Sequence, residues 1–150
     1  MKTRILFVCL GNICRSPMAE YICRDMAQKR GLEDRLACAS AGTSDEEEGN
    51  PIYPPARRTL KAMGIDPSGH RARLMTRADY DRYDLLIGME ARNLSAMRRI
   101  CGGDPQGKIR PLLPGRDIAD PWYTGQFDRT RDDIVEGLTA LLDDMQAGQK

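Results

Sequence analysis

Aromatic residues are scarce in this sequence: two Phe, one Trp and five Tyr, 5% of 150 residues. A core must therefore come from Leu, Ile, Val, Met and Ala. Long apolar runs are missing as well. The opening "MKTRILFVCLGN" begins with basic residues, but Gly11 and Asn12 soon end the apolar run that starts at Ile5. That is too short for a secretory signal, and no other stretch approaches the roughly 20 apolar residues of a membrane span. Charge of one sign is not in excess either. With 23 basic and 22 acidic residues the net charge is +1, which argues against a nucleic-acid grip or membrane adhesion driven by charge. Histidine is nearly absent, and His70, the only one, reads by itself as a surface or structural residue. The five cysteines are odd in number and scattered, so they do not form a disulfide framework. The expected location is the cytoplasm, where thiols stay mostly reduced.

What is present is a regular alternation. The chain is 41% hydrophobic and 30% charged, without repeats or low-complexity linkers, and reads as a single domain over residues 1–150. Ile5–Val8 reads as a short buried strand, after which Ser16-Pro17 opens a helix, Ser as N-cap and Pro at the first helical position. Met18, Ile22 and Met26 recur at helical spacing, with Gly31 as the stop. A second strand falls at Leu36–Ala41 and a helix at about Pro55–Met63. Leu85–Ile87 is a third strand, and Leu94, Met97 and Ile100 mark the helix after it. Ile109–Leu113 is expected at a sheet edge because Pro111 cannot donate to a ladder. A last helix carries Ile134, Leu138, Leu141, Leu142 and Met145. Strands alternating with helices imply right-handed crossovers. The fold class expected is α/β: a three-layer sandwich with a central four-stranded parallel sheet, doubly wound in the flavodoxin-like, Rossmannoid manner.

Such folds bind ligands at the carboxyl ends of their strands, and "CLGNICRS", residues 9 to 16, occupies one of those ends. A turn from strand into helix directs several N–H groups into one concavity, and the helix dipole adds positive potential. Gly11 permits a tight turn; Asn12 tolerates unusual dihedrals and can pin the loop through its amide. Arg15 offers a planar fork matched to phosphate oxygens. Cys9 falls at the bottom of the bowl, where that potential favours a thiolate aimed at phosphorus. A C-x5-R match alone is weak, and free cysteine is often a small buried apolar residue. The flanking strand, the Ser-Pro helix start and the intervening Gly and Asn supply the context. A nucleotide P-loop is disfavoured because no Gly-Lys-Ser/Thr follows, and a dinucleotide fingerprint lacks its partner glycines. Zinc held by Cys9 and Cys14 would need two more ligands at finger spacing, and Cys23, Cys38, Cys101 and His70 do not provide it.

Phosphoester cleavage also needs an acid to protonate the departing oxygen. "DIADPWYTG", residues 117 to 125, offers Asp120 on a loop stiffened by Pro121 and flanked by Trp122 and Tyr123. Asp-Pro by itself signals only a turn; the Cys9 loop gives it a second meaning.

With "VCLGNICRSPMAE" at the N-terminus, "SAGTS" at 40 to 44 and "DPWY" at 120 to 123, the chain resembles the low-molecular-weight protein tyrosine phosphatases nearly end to end. The resemblance implies a two-step hydrolysis of phosphotyrosine and small aryl phosphates without metal or other cofactor. In it Cys9 attacks phosphorus, Arg15 and the loop amides of Leu10, Gly11, Asn12, Ile13 and Cys14 hold the oxygens, and Asp120 serves as acid and then base. By the same resemblance Asn12, Ser16, Ser40 and His70 form a network that shapes the loop, Ser16 eases thiolate departure, and Cys14 traps oxidised Cys9 as a disulfide. Implied partners are a phosphotyrosine protein or peptide and inorganic phosphate or other oxyanions, with a monomer or weak homo-oligomer as the assembly.

The pattern departs after "SAGTS". The family usually carries an aromatic cleft wall there, whereas this chain reads Asp45-Glu46-Glu47-Glu48, with Glu46 at the aromatic's place. Four acids are commonly just a solvated loop, but at a cleft rim they disfavour anions, so Glu46, Trp122 and Tyr123 are the expected rim. Two relatives share the loop. Arsenate reductases of this fold need further cysteines after the third strand, where "LLIGMEARN" has none. Protein-arginine phosphatases tend to have threonine where Ile13 stands, and an apolar branched side chain suits a phenyl ring better.

Overall fold

The computed structural model describes residues 2–148. Strand β1 (Thr3–Cys9) is central. It pairs in parallel with β2 (Leu36–Gly42) on one side and β3 (Leu85–Gly88) on the other, and β3 pairs in parallel with β4 (Ile109–Pro111), giving the order β2-β1-β3-β4. Ile5 to Val8 are fully buried because helices cover both faces, which explains an uninterrupted apolar strand. Alternation along β1 divides the core. Ile5 and Phe7 pack with Met18 and Ile22 of α1 (Arg15–Lys29) and with Leu138 and Leu142 of α6 (Phe127–Ala147). Leu6 and Val8 face Met75, Tyr80 and Met97. This is the doubly wound α/β sandwich that the alternation implied. The chain leaves β1 for one neighbour, β2, and later for the other, β3, so the crevice between the two directions opens at the end of β1.

Three local features differ from expectation. Helix α1 begins at Arg15, with Cys14 as N-cap and no side-chain cap, because the Ser16 hydroxyl is engaged with groups behind the loop. Two short helices, α3 (Ala78–Arg82) and α5 (Pro121–Thr124), stand where no element was expected. Asp120 caps α5, accepting a hydrogen bond from the Trp122 N–H at 3.1 Å. The edge strand β4 stops at Pro111, and α2 (Pro54–Ala62) and α4 (Ala91–Cys101) complete the layers. Among the described residues no helix is long and apolar enough to cross a membrane.

Candidate active site

The loop after β1 is held by its carbonyls. Those of Cys9 and Leu10 accept from the Thr43 and Ser44 N–H groups, both at 3.0 Å, and that of Ile13 accepts from the Tyr53 N–H at 2.9 Å. The Asn12 carbonyl lies 2.7 Å from His70 Nε2, and that of Cys14 accepts from the Met18 N–H at 3.0 Å. The N–H groups of Gly11 to Cys14 find no acceptor among the described residues. Carbonyls bonded outward and N–H groups left over make an anion cradle.

The strained dihedral falls on Asn12, the one non-glycine residue with positive φ among the described residues, at 60°. Gly11 contributes space instead: a Cβ there would come within 3.4 Å of Glu47 Cγ. Gly42 at the end of β2 has no room for a side chain at all: a Cβ would meet the Leu10 carbonyl oxygen at 2.7 Å.

Behind the loop, Ser16 Oγ lies 3.0 Å from Cys9 Sγ and accepts from Asn12 Nδ2 at 2.9 Å. The Asn12 side-chain carbonyl accepts from the Arg73 N–H at 3.0 Å. Arg73 is fixed in turn by a bidentate pair with the fully buried Asp79, at 3.0 and 3.1 Å. His70 is buried and meets the Tyr21 ring edge-on, centroids 6.3 Å apart. Asn12, Ser16 and His70 thus share one contact network. Ser40 does not touch it: its hydroxyl donates to Glu20 Oε1 at 2.6 Å, and Glu20 pairs with Arg24 on the same helix. A serine two residues before the end of β2 reaches α1, not the loop.

Arg15 is the largest fully buried side chain, 1% exposed. Nη1 donates to the Ile118 carbonyl at 2.9 Å, and Nη2 is shared between Asp120 Oδ2 at 3.3 Å and Glu90 Oε1 at 3.4 Å. A buried guanidinium needs such partners, because an unpaired charge there is strongly destabilising. Glu90 lies two residues beyond the end of β3 and also forms a capping box with Asn93 at the start of α4. Glu90, Arg73, Asp79 and Gly42 were not singled out from the sequence. The position of Glu90 at the carboxyl end of a strand was the one available signal.

These parts surround a cavity of about 160 Å³. Cys9, Leu10, Gly11, Ile13, Cys14 and Arg15 form its floor and near wall; Ser44, Glu46, Glu47, Asp120, Trp122 and Tyr123 form the rest. Leu10, Trp122 and Tyr123 are exposed apolar surfaces at 46%, 51% and 74%, an apolar mouth over a polar floor. Tyr53 backs Trp122, ring centroids 4.7 Å apart. Asn12, Ser16 and His70 lie behind the loop, and Ser40 is farther off. Burial, reinforced by negative charge at Cys9 and Asp120, pushes the Cys14 thiol well above its ordinary range, so it stays protonated at neutral pH. Among the described residues no group of three or more His, Cys, Asp or Glu side chains is arranged to hold a metal ion.

Residues 4–150 match the family model of the low molecular weight phosphotyrosine protein phosphatases. This chain belongs to that family. It is an enzyme of the phosphoric monoester hydrolase class. It is 40% identical to the low molecular weight protein-tyrosine-phosphatase YfkJ of Bacillus subtilis over 148 residues, 95% of each chain. The crystal structure of YfkJ superposes with a TM-score of 0.94, covering 100% of this chain and 98% of that one. The low molecular weight phosphotyrosine protein phosphatase of Schizosaccharomyces pombe is 37% identical over 132 residues, 81% of this chain and 82% of its own. The crystal structure of a Drosophila arginine phosphatase is also similar, 30% identical with a TM-score of 0.87, covering 97% of this chain and 98% of that one.

Proposed function

We propose that this enzyme hydrolyses phosphotyrosine in proteins or peptides, and small aryl phosphates, through a phosphocysteine at Cys9 without a metal ion. The observation that carries the reading is the meeting of four groups in one cavity: the Cys9 thiol, the unpaired loop N–H groups, Arg15 and Asp120. Cys9 attacks phosphorus as the thiolate while the amides and Arg15 hold the three equatorial oxygens. Protonated Asp120 gives its proton to the phenolic oxygen, the P–O bond breaks and the phenol departs. Asp120, now a carboxylate, takes a proton from water as that water attacks phosphorus, the S–P bond breaks, and the thiolate is regenerated with release of phosphate. Ser16 and the network behind it stabilise the thiolate in both steps. The work belongs to the cytoplasm, where thiols remain reduced.

A second reading, phosphoarginine hydrolysis, is favoured by the likeness to the Drosophila arginine phosphatase. Against it, Ile13 lines the cavity beside Leu10, Trp122 and Tyr123, a mouth suited to a phenyl ring. The test is hydrolysis of p-nitrophenyl phosphate and of matched phosphotyrosine and phosphoarginine peptides, each with and without chelator. Chelator-insensitive turnover with preference for phosphotyrosine is expected, together with a phosphoenzyme trapped by rapid acid quench that Cys9→Ser does not form. Near-normal hydrolysis by Cys9→Ser would falsify the mechanism.

A further inference from the structure

Beside the catalytic cavity lies a second, wider groove of about 690 Å³, and the two share Ile13, Glu47 and Trp122 as a common wall. The far side of the groove is built by α2, which contains three cations and no carboxylate. Ala56, Thr59 and Leu60 turn inward and are buried, so Arg57, Arg58 and Lys61 project outward together into the groove lining. Spacings of three and four residues put these side chains on one helical face. None of the three pairs with a carboxylate among the described residues. Tyr53, packed at a tilt of 50° against Trp122, forms an apolar floor between this cationic face and the catalytic mouth.

We propose that this groove receives an acidic stretch of the substrate polypeptide flanking the phosphorylated residue, so that Arg57, Arg58 and Lys61 determine specificity. The inference rests on the phosphatase reading for the position of the phosphorylated side chain. An aryl phosphate seated over Cys9 leaves the cavity past Trp122, and the adjoining chain crosses the common wall into the groove. Its occupant there is Asp- or Glu-rich by charge complementarity: three unpaired cations attract carboxylates and repel a basic segment. Glu46 rims the catalytic cavity alone and Glu47 stands on the common wall, the single carboxylate of the groove lining against three cations, so positive charge prevails on the α2 side and negative charge on the side of Glu46. A substrate acidic toward α2 fits this arrangement, and one basic toward α2 does not.

The experiment compares the full-length protein with the variant carrying Arg57→Gln, Arg58→Gln and Lys61→Gln, glutamine being a good helix former at exposed positions. Phosphotyrosine peptides with acidic and with neutral flanks are assayed, and the readout is the ratio of their KM values within each protein, so a change in basal activity cancels. For the natural chain the acid-flanked peptide should have a KM about fivefold lower at low salt, fading as ionic strength rises. The ratio should fall to near one in the triple variant. An unchanged ratio in the variant, or no flank preference in the natural chain, overturns the proposal while leaving the phosphatase reading intact. A second arm does not depend on turnover. An unphosphorylated Asp/Glu-rich peptide is titrated into isotopically labelled protein, and amide shifts concentrated between Tyr53 and Lys61, lost in the variant, support the groove. Shifts elsewhere or none overturn it, even if no aryl phosphate is hydrolysed.

Discussion

Ser16 Oγ lies 3.0 Å from Cys9 Sγ, and toward a Cys9 thiolate only the hydroxyl can be the donor. The Asn12 side-chain oxygen accepts from the Arg73 N–H, so its amide nitrogen faces Ser16 and donates to it. The hydroxyl hydrogen of Ser16 is left for Cys9 Sγ or, at 3.4 Å, for the Ala41 carbonyl. The shorter contact is to sulfur. A donor aimed at sulfur stabilises the thiolate both as nucleophile and as leaving group.

Ser16→Ala should therefore slow breakdown of the phosphoenzyme. A hydrogen bond to a charged group contributes about 1.5–3 kcal/mol, or roughly 10- to 100-fold in rate. Stopped-flow mixing with p-nitrophenyl phosphate should show a burst of nitrophenolate in this variant followed by slow turnover. A variant with unchanged steady-state rate and no burst would mean that the serine only packs.

Asp120 is held from both sides, Oδ1 by the Trp122 N–H at 3.1 Å and Oδ2 by Arg15 Nη2 at 3.3 Å. The carboxyl is therefore oriented at the cavity wall before any substrate arrives. Asp120→Asn keeps the shape and one of the two acceptors, sets an amide N–H against one of the two donors, and loses the exchangeable proton. Turnover of phenyl phosphates should fall about 10²- to 10³-fold, and turnover of esters with strongly acidic phenols much less. A leaving-group series checks this, since an equal loss across it would mark Asp120 as a purely structural partner of Arg15.

Much of this site was legible because its chemistry is local. Cys9, Arg15 and the intervening loop occupy one strand-to-helix turn, and the apolar run before it can only be a buried strand. The parts that escaped notice are joined across the chain. Arg15 meets Glu90 at a sequence separation of 75, and the Arg73 N–H reaches Asn12 at a separation of 61. A single sequence carries no trace of such pairings. Ser40 illustrates the converse: the resemblance assigned it to the loop network, whereas the pleat of β2 directs it to Glu20 on α1. Helices α3 and α5 are only five and four residues long, too short for an apolar period to declare itself. Gly42 looks like any turn glycine until the Leu10 carbonyl is set beside it.

Cys14 lines the same cavity as Cys9, with its thiol pushed up by burial first and by the charge on Cys9 second. At neutral pH it should resist alkylation while Cys9 reacts, which peptide mass spectrometry after brief iodoacetamide treatment can read. Peroxide should convert the Cys9 thiolate to a sulfenic acid, removing the charge that helps keep Cys14 protonated. Cys14 then attacks, forming the S–S bond and releasing water. Attack requires the Cys14 thiolate, and a raised thiol ionises more as pH rises, so disulfide closure should accelerate from pH 7 toward pH 9. Cys14→Ser should recover less activity with added thiol after strong oxidation than the natural chain. Equal recovery, or closure independent of pH, would remove the protective role.

The acidic turn completes the cleft. Glu46 and Glu47 both line the cavity, and the turn is tied down by the Glu48 N–H to the Asp45 carbonyl at 3.1 Å and by Asn50 Nδ2 to Glu47 at 2.7 Å. Glu47 Cγ packs above Gly11, so the turn faces the anion cradle and not solvent alone. Its carboxylates oppose an incoming phosphate dianion, and Glu46 leaves the cleft without an aromatic wall on that side. Exposed charges of this kind contribute about 1 kcal/mol or less each and are screened by salt. Glu46→Trp should therefore lower KM for simple aryl phosphates severalfold while leaving kcat nearly unchanged, since a stacking wall binds substrate and transition state alike. Glu46→Gln isolates the charge: it should reproduce the part of the gain that disappears at high salt, and Trp should retain the rest. Michaelis parameters for the three proteins at about 0.05 and 0.5 M salt separate the two contributions. If neither substitution alters KM at either salt concentration, the carboxylate of Glu46 points away from the bound ring and the acidic turn does not select substrate.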